Sequence, residues 1–158
     1  MIKAIIFDYG RTLVDSETDD LFPEAKEILD ELIKKKLKLA LVSRSHHPQN
    51  RRQNIKRLQL KEYFKIIEVI PAENTKEYTQ ILKKLRVRAE ECLITGDQIK
   101  DDILPGNKIG AITVWLKKGK FADESPTSKE EEPNYTITSL GELLPLINSM
   151  RIESESSG

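Results

Sequence analysis

Ile5-Ile6-Phe7-Asp8-Tyr9-Gly10-Arg11-Thr12-Leu13 is the stretch on which the fold of this chain turns. The apolar run from Ala4 to Phe7 has the length of a buried strand. The run stops on a carboxylate. Tyr9-Gly10-Arg11 cannot prolong a core element, and Gly10 permits backbone geometry that other residues resist. In an open parallel sheet, ligands sit just beyond the carboxyl ends of the strands. Asp8 is therefore a candidate ligand or nucleophile. The plain alternative, an Asp that starts a turn, stays open on this segment alone.

Outward from that stretch, strand and helix patterns alternate. Leu13 to Leu21 reads as a solvated loop or small hairpin. Pro23 suits the first turn of a helix, and Ala25, Ile28, Leu29, Leu32 and Ile33 form one apolar face. Leu37 to Val42 reads as a second strand, followed by Ser43-Arg44-Ser45-His46-His47. Pro48 opens a helix with only Ile55, Leu58 and Leu60 as anchors. Lys65 to Ile70 is a third strand, stopped by Pro71. Asn74 and Glu77 have capping-box spacing, ahead of a helix carrying Tyr78, Ile81, Leu82 and Leu85. Cys92 to Thr95 is a fourth strand, ending in Gly96-Asp97. Ile99 to Asn107 reads as a short helix or turn, and Ala111 to Leu116 as a fifth strand. Lys117 to Pro133 reads as a charged surface loop and Tyr135 to Ile137 as an edge strand. Ser139 and Glu142 cap a last helix, which Pro145 is expected to bend or shorten.

The alternation predicts an α/β fold: a three-layer, doubly wound parallel sheet with helices on both faces. Right-handed crossovers then bring all strand ends to one rim. The chain has 158 residues, so one domain over 1–150 is expected, with a disordered Ser/Glu-rich tail over 151–158. Lys plus Arg is 26 and Asp plus Glu is 26, a balance that calls for neither nucleic acid nor an anionic membrane. A single cysteine, Cys92, rules out a disulfide within the chain, and no zinc cluster is spaced out. No apolar run approaches membrane-spanning length and no signal-peptide layout is present, so the expected location is cytoplasmic.

Asp8, Ser43 and Asp97 each follow a strand directly, and Lys76 lies shortly after the third. Two carboxylates at close range repel unless a cation sits between them, and oxygen ligands with water and phosphate favour magnesium. Asp8 and Asp97 can therefore hold Mg²⁺, with a backbone carbonyl near Gly10 as a third ligand. Lys76 as a point charge and Ser43 as a donor can bind a phosphoryl group. An ionised Asp aimed at phosphorus is a known class of nucleophile.

Those residues resemble the haloacid dehalogenase (HAD) superfamily of phosphohydrolases. Phe7-Asp8-Tyr9-Gly10-Arg11-Thr12-Leu13-Val14-Asp15-Ser16 resembles its first motif, Leu41-Val42-Ser43 the second and Lys76 the third. Ile94-Thr95-Gly96-Asp97-Gln98-Ile99-Lys100-Asp101-Asp102-Ile103 resembles the fourth, and the likeness runs on through Gly106-Asn107, Gly110 and Thr113-Val114-Trp115. The resemblance implies Asp8 as nucleophile and metal ligand. It implies Ser43, Arg44 and Lys76 as phosphoryl binders, and Gly10, Asp97 and Asp102 as the rest of the metal set. Asp101 is the rival of Asp102.

Two departures stand out. Phosphatases of the resembled type usually carry a second Asp two residues after the nucleophile, which protonates the leaving alcohol and then activates water. Here that position is Gly10. The next position, usually Gly, is Arg11, expected to face solvent, with anion binding as the alternative. His46 and His47 titrate in a range that suits a replacement acid, or they are plain loop residues. Neither the Asp8–Ser43 nor the Ser43–Lys76 interval has room for an inserted cap. The resemblance then implies an open site, a phosphorylated and possibly large substrate, or a lid borrowed from a second subunit. The expectation is a capless, Mg²⁺-dependent phosphomonoesterase working through an aspartyl-phosphate. The alternative is a weakly catalytic or inactive phospho-ligand or partner-binding protein on the same fold.

Overall fold

The apolar segments pair side by side as β1 (Ala4–Asp8), β2 (Lys38–Ser45), β3 (Ile66–Pro71), β4 (Cys92–Gly96), β5 (Ile112–Leu116) and β6 (Tyr135–Ile137). All pairs are parallel, in the order β3-β2-β1-β4-β5-β6. The structure, a computed structural model, describes residues 1–156, with side chains to 150. The tail expected over 151–158 falls outside these fully described residues.

Side chains alternate across a strand, and the core divides accordingly. Ile5, Phe7, Leu39, Leu41 and Leu93 pack on one face. There they meet α1 (Ala25–Lys34), α2 (Pro48–Arg57) and α5 (Leu143–Ser156) through Leu29, Ile55 and Ile147. Ala4, Ile6, Ala40, Val42 and Ile94 pack on the other face against Ile81, Leu82 and Leu85 of α3 (Thr79–Leu85). Ile99, Ile103 and Trp115 form a smaller cluster beside α4 (Leu104–Lys108). The three-layer, doubly wound expectation is met. No helix among the described residues is long and apolar enough to cross a membrane.

Four local expectations change. β2 runs on to Ser45 instead of stopping at Val42, because its ladder with β3 continues through Arg44↔Ile70 and Ser45↔Pro71. α3 starts at Thr79, with no side-chain cap, so Asn74 and Glu77 form no capping box for it. Asn74 N instead closes a turn on Pro71 O at 3.0 Å. Lys76 and Tyr78 are buried at 7% and 3% exposure. Two ion pairs on Lys76 outweigh a cap of about 1 kcal/mol and keep 75–78 out of the helix. The segment after Asp97 divides into a wide π-type turn, Ile99–Ile103, and α4. Pro145 does not shorten α5, because it is the third residue of the helix, where backbone N–H groups have no intrahelical partner to lose.

Candidate active site at the sheet rim

Strand register sets the site. Phe7 on the central β1 pairs with Leu41 on one side and Thr95 on the other, and Asp8 pairs with Val42. Ser43 and Asp97 therefore lie just beyond the level of Asp8 on its two neighbours, at the point where the strand order reverses. Lys76 arrives from the irregular segment after β3. Its Nζ donates to Asp8 Oδ1 at 2.8 Å and to Asp102 Oδ1 at 2.5 Å.

Asp102 is delivered by the π-type turn, whose Asp102 N donates to Gln98 O at 3.0 Å, while Gln98 N donates back to Asp102 Oδ2 at 3.0 Å. Gly96 makes room for this carboxylate: a Cβ there would lie 2.2 Å from Asp102 Oδ2. Trp115 Nε1 donates to Asp97 O at 3.0 Å, so β5 pins the end of β4. Carboxylate oxygens of Asp8, Asp97 and Asp102 all lie within 4.8 Å of one another. Of the two rivals, Asp102 enters the cluster and Asp101 does not. Asp101 pairs with Arg44 Nη2 at 2.6 Å.

Arg11 corrects the expectation of a solvent-facing side chain. Its Nε donates to Asp97 Oδ2 at 2.7 Å, and its guanidinium lies 4.9 Å from the centre of the Phe121 ring. It also takes the left-handed backbone of the loop, at φ 61°. Gly10, expected to supply unusual geometry, does not have positive φ. Local strain of this kind concentrates at functional sites.

Three carboxylates thus face two cations, Lys76 and Arg11, and the cluster keeps a formal negative charge. Burial, with the Asp8 charge beside it, pushes the Asp97 carboxyl up to about 6 against the pull of Arg11. Burial likewise raises Asp102 to about 7, with Lys76 opposing and Asp8 adding to the rise. Burial alone would depress the Lys76 ammonium, but Asp102 and Asp8 hold it well above its ordinary value. Asp97 Oδ1 is buried with no hydrogen-bond partner among the described residues. An oxygen-only donor set, an excess of negative charge and an unsatisfied carboxylate oxygen fit a hard divalent cation such as Mg²⁺.

Asp8 and Lys76 open onto a cavity of about 310 Å³, which Gly10, Arg11 and Arg44 also line. Ser43 is fully buried behind it, and its Oγ accepts a hydrogen bond from Arg51 Nη1. His46 reaches the cavity wall and His47 is not among the lining residues. Two lining cations were missed from the sequence, Arg51 and Lys120. A signal existed for Arg51: it lies four residues before the buried anchor Ile55, hence on the inward face of α2. Lys120 sits in the loop after β5 and carried none.

Residues 1–116 match the family described as haloacid dehalogenase-like hydrolase. The glyceraldehyde 3-phosphate phosphatase of Pyrococcus furiosus is 32% identical over 114 residues, covering 67% of this chain and 47% of that protein. The ribulose-1,5-bisphosphate 5-phosphatase of Halopiger xanaduensis is 27% identical over 143 residues, covering 84% of this chain and 59% of that protein. The chain spans about half the length of these curated relatives. Among solved structures, an uncharacterized protein from Listeria monocytogenes superposes with a TM-score of 0.76 at 19% identity, covering 94% of this chain and 99% of that one. The 2-haloacid dehalogenase of Pseudomonas syringae superposes with a TM-score of 0.72 at 15% identity, covering 95% and 100%. With the motif residues gathered at one rim of this sheet, the chain belongs to the haloacid dehalogenase-like hydrolase family.

Proposed function

We propose that the protein is a cytoplasmic, Mg²⁺-dependent phosphomonoesterase that works through an aspartyl-phosphate on Asp8. The observation that carries this is the cluster of Asp8, Asp97 and Asp102 within 4.8 Å, bridged by Lys76 and opening onto a cavity rich in cations. The phosphatases among its relatives support the same reaction class. Asp8, Asp97, Asp102 and a backbone carbonyl at Gly10 are the residues that would hold Mg²⁺. When bound, the ion neutralises charge on the phosphoryl oxygens and orients them.

The chain's own groups do the rest. Lys76 fixes Asp8 through Oδ1, while Oδ2 accepts, among the described residues, a long hydrogen bond from Thr12 Oγ1 at 3.4 Å. The looser oxygen attacks phosphorus and the ester P–O bond breaks. Arg44, on the cavity wall, would bind phosphoryl oxygens, and Ser43, fully buried behind that wall, would position Arg51, whose guanidinium its Oγ holds. Water then cleaves the acyl-phosphate and regenerates the carboxylate. With Gly10 in place of the usual acid, His46 is the lining residue able to supply a proton to the leaving oxygen. An exposed loop histidine is less firmly positioned than an acid two residues after Asp8, so esters with good leaving groups are the favoured substrates. No inserted cap interrupts the described residues, so the rim admits substrate directly or under a lid from a second subunit.

The test is p-nitrophenyl phosphate turnover with Mg²⁺, beside Asp8→Asn. The expected result is turnover by the wild type that disappears in the variant. Folded wild type without turnover favours the second reading, a phospho-ligand binder on this fold, which the missing carboxylate at Gly10 motivates.

A further inference from the structure

The charges lining the cavity do not all have partners. Lys76 is committed to Asp8 and Asp102, Arg11 to Asp97, and Arg44 to Asp101. Arg51 and Lys120 line the same cavity and form no ion pair among the described residues. Arg51 is also held in place. Its guanidinium lies 4.2 Å from the centre of the Tyr9 ring, and Nη1 donates to Ser43 Oγ and, at 3.5 Å, to Arg44 O. A half-buried arginine clamped by an aromatic face and a hydroxyl, with no carboxylate of its own, is a preorganised anion site.

A phosphoryl group beside Asp8 already meets Lys76 and the cation that the carboxylates hold. The remaining positive charge in the cavity, on Arg51 and Lys120, therefore answers a second anion. The cavity, about 310 Å³, is at the small end of ligand sites, which favours a compact molecule carrying both groups. We infer that the substrate is a small phosphate ester bearing a second anionic group, a carboxylate or a second phosphate, and that Arg51, with Lys120 lining the same cavity, binds that second group. This rests on the phosphomonoesterase reading of Asp8 and adds to it the substrate class.

The experiment compares kcat/KM, with Mg²⁺, for propyl phosphate, 2-phosphoglycolate and propane-1,3-diol bisphosphate. The wild type is expected to prefer at least one two-anion ester by about 10–100-fold, the worth of a charge-assisted contact. The preferred ester tells carboxylate from phosphate. Arg51→Met is expected to bring the ratio of two-anion to one-anion ester close to unity. Lys120→Met, on an exposed residue, is expected to lower it about threefold. Ratios within one preparation cancel any unfolded fraction. Equal use of all three esters by the wild type overturns the inference, as does an Arg51→Met that slows every ester by the same factor. Turnover of p-nitrophenyl phosphate without two-anion preference leaves the phosphatase and removes this site. If nothing is turned over, binding decides: phosphonoacetate is expected to bind Mg²⁺-loaded wild type at least tenfold tighter than methylphosphonate, and Arg51→Met to lose that margin. Equal affinities overturn the inference.

Discussion

Gly10→Asp is the most informative substitution in this protein. A Cβ at Gly10 meets nothing within 4 Å, and Gly10 does not have positive φ, so a side chain enters without clash or backbone strain. The residue lines the same cavity as Asp8. General acid–base help is worth about 10²–10⁴-fold. An alkyl leaving group departs as a strong base and needs its proton, whereas p-nitrophenolate does not. The variant is therefore expected to raise kcat/KM for propyl phosphate by about 10²-fold and for p-nitrophenyl phosphate by no more than about threefold. The new carboxylate joins three others, a like-charge cost of about 1–3 kcal/mol without metal. The Tm of the metal-free variant should fall and its rise on adding Mg²⁺ should exceed that of the wild type. Steady-state kinetics on the ester pair, with thermal melts at graded Mg²⁺, measures both. Equal acceleration of the two esters, or none, refutes the idea that the missing acid limits turnover.

Arg11→Gly relieves a left-handed arginine, a gain of about 1 kcal/mol. It also strips the cation from buried Asp97, which costs about 3–5 kcal/mol in a fully buried pair and less here, where the Arg11 side chain is 29% exposed. The loss wins, so urea denaturation without metal should show a variant weaker by about 2 kcal/mol, with Mg²⁺ restoring most of it. Gly96→Ala places a methyl 2.2 Å from Asp102 Oδ2. Overpacking of this kind costs about 1–3 kcal/mol, and the displaced carboxylate should weaken Mg²⁺ binding at least tenfold by calorimetry. Away from the site, the bond from Lys3, with Arg88 N adding to it, holds Glu91 down at about 2 against an ordinary 4.5. The folded value lies below the unfolded one, so this stabilisation is complete above pH 4.5 and is lost as pH falls toward 2. Glu91→Gln should be less stable than wild type at neutral pH, and the two should converge near pH 2 in denaturation curves.

The strands were legible because a buried parallel strand is a short continuous apolar run, and most of these runs stop on a polar residue or a proline. Asp8 and Asp97 announced themselves in that way, as charges placed directly after Phe7 and Gly96. The same local pattern misled at Asn74 and Glu77, where a capping signature lost to the burial of Lys76. It was silent on whether Asp101 or Asp102 turns inward, since a π-type turn shifts the face that ordinary helical spacing would assign. It was silent too on the partners of the long cations. Arg11 finds Asp97 across 86 residues of sequence, and Arg44 finds Asp101 across 57. Sequence alone determined which elements form and which polar residues stand at their ends, because those depend on neighbours a few positions away. Tertiary structure decided how those ends are wired, because a flexible charged side chain takes its direction from whatever burial and opposite charge the fold brings within reach.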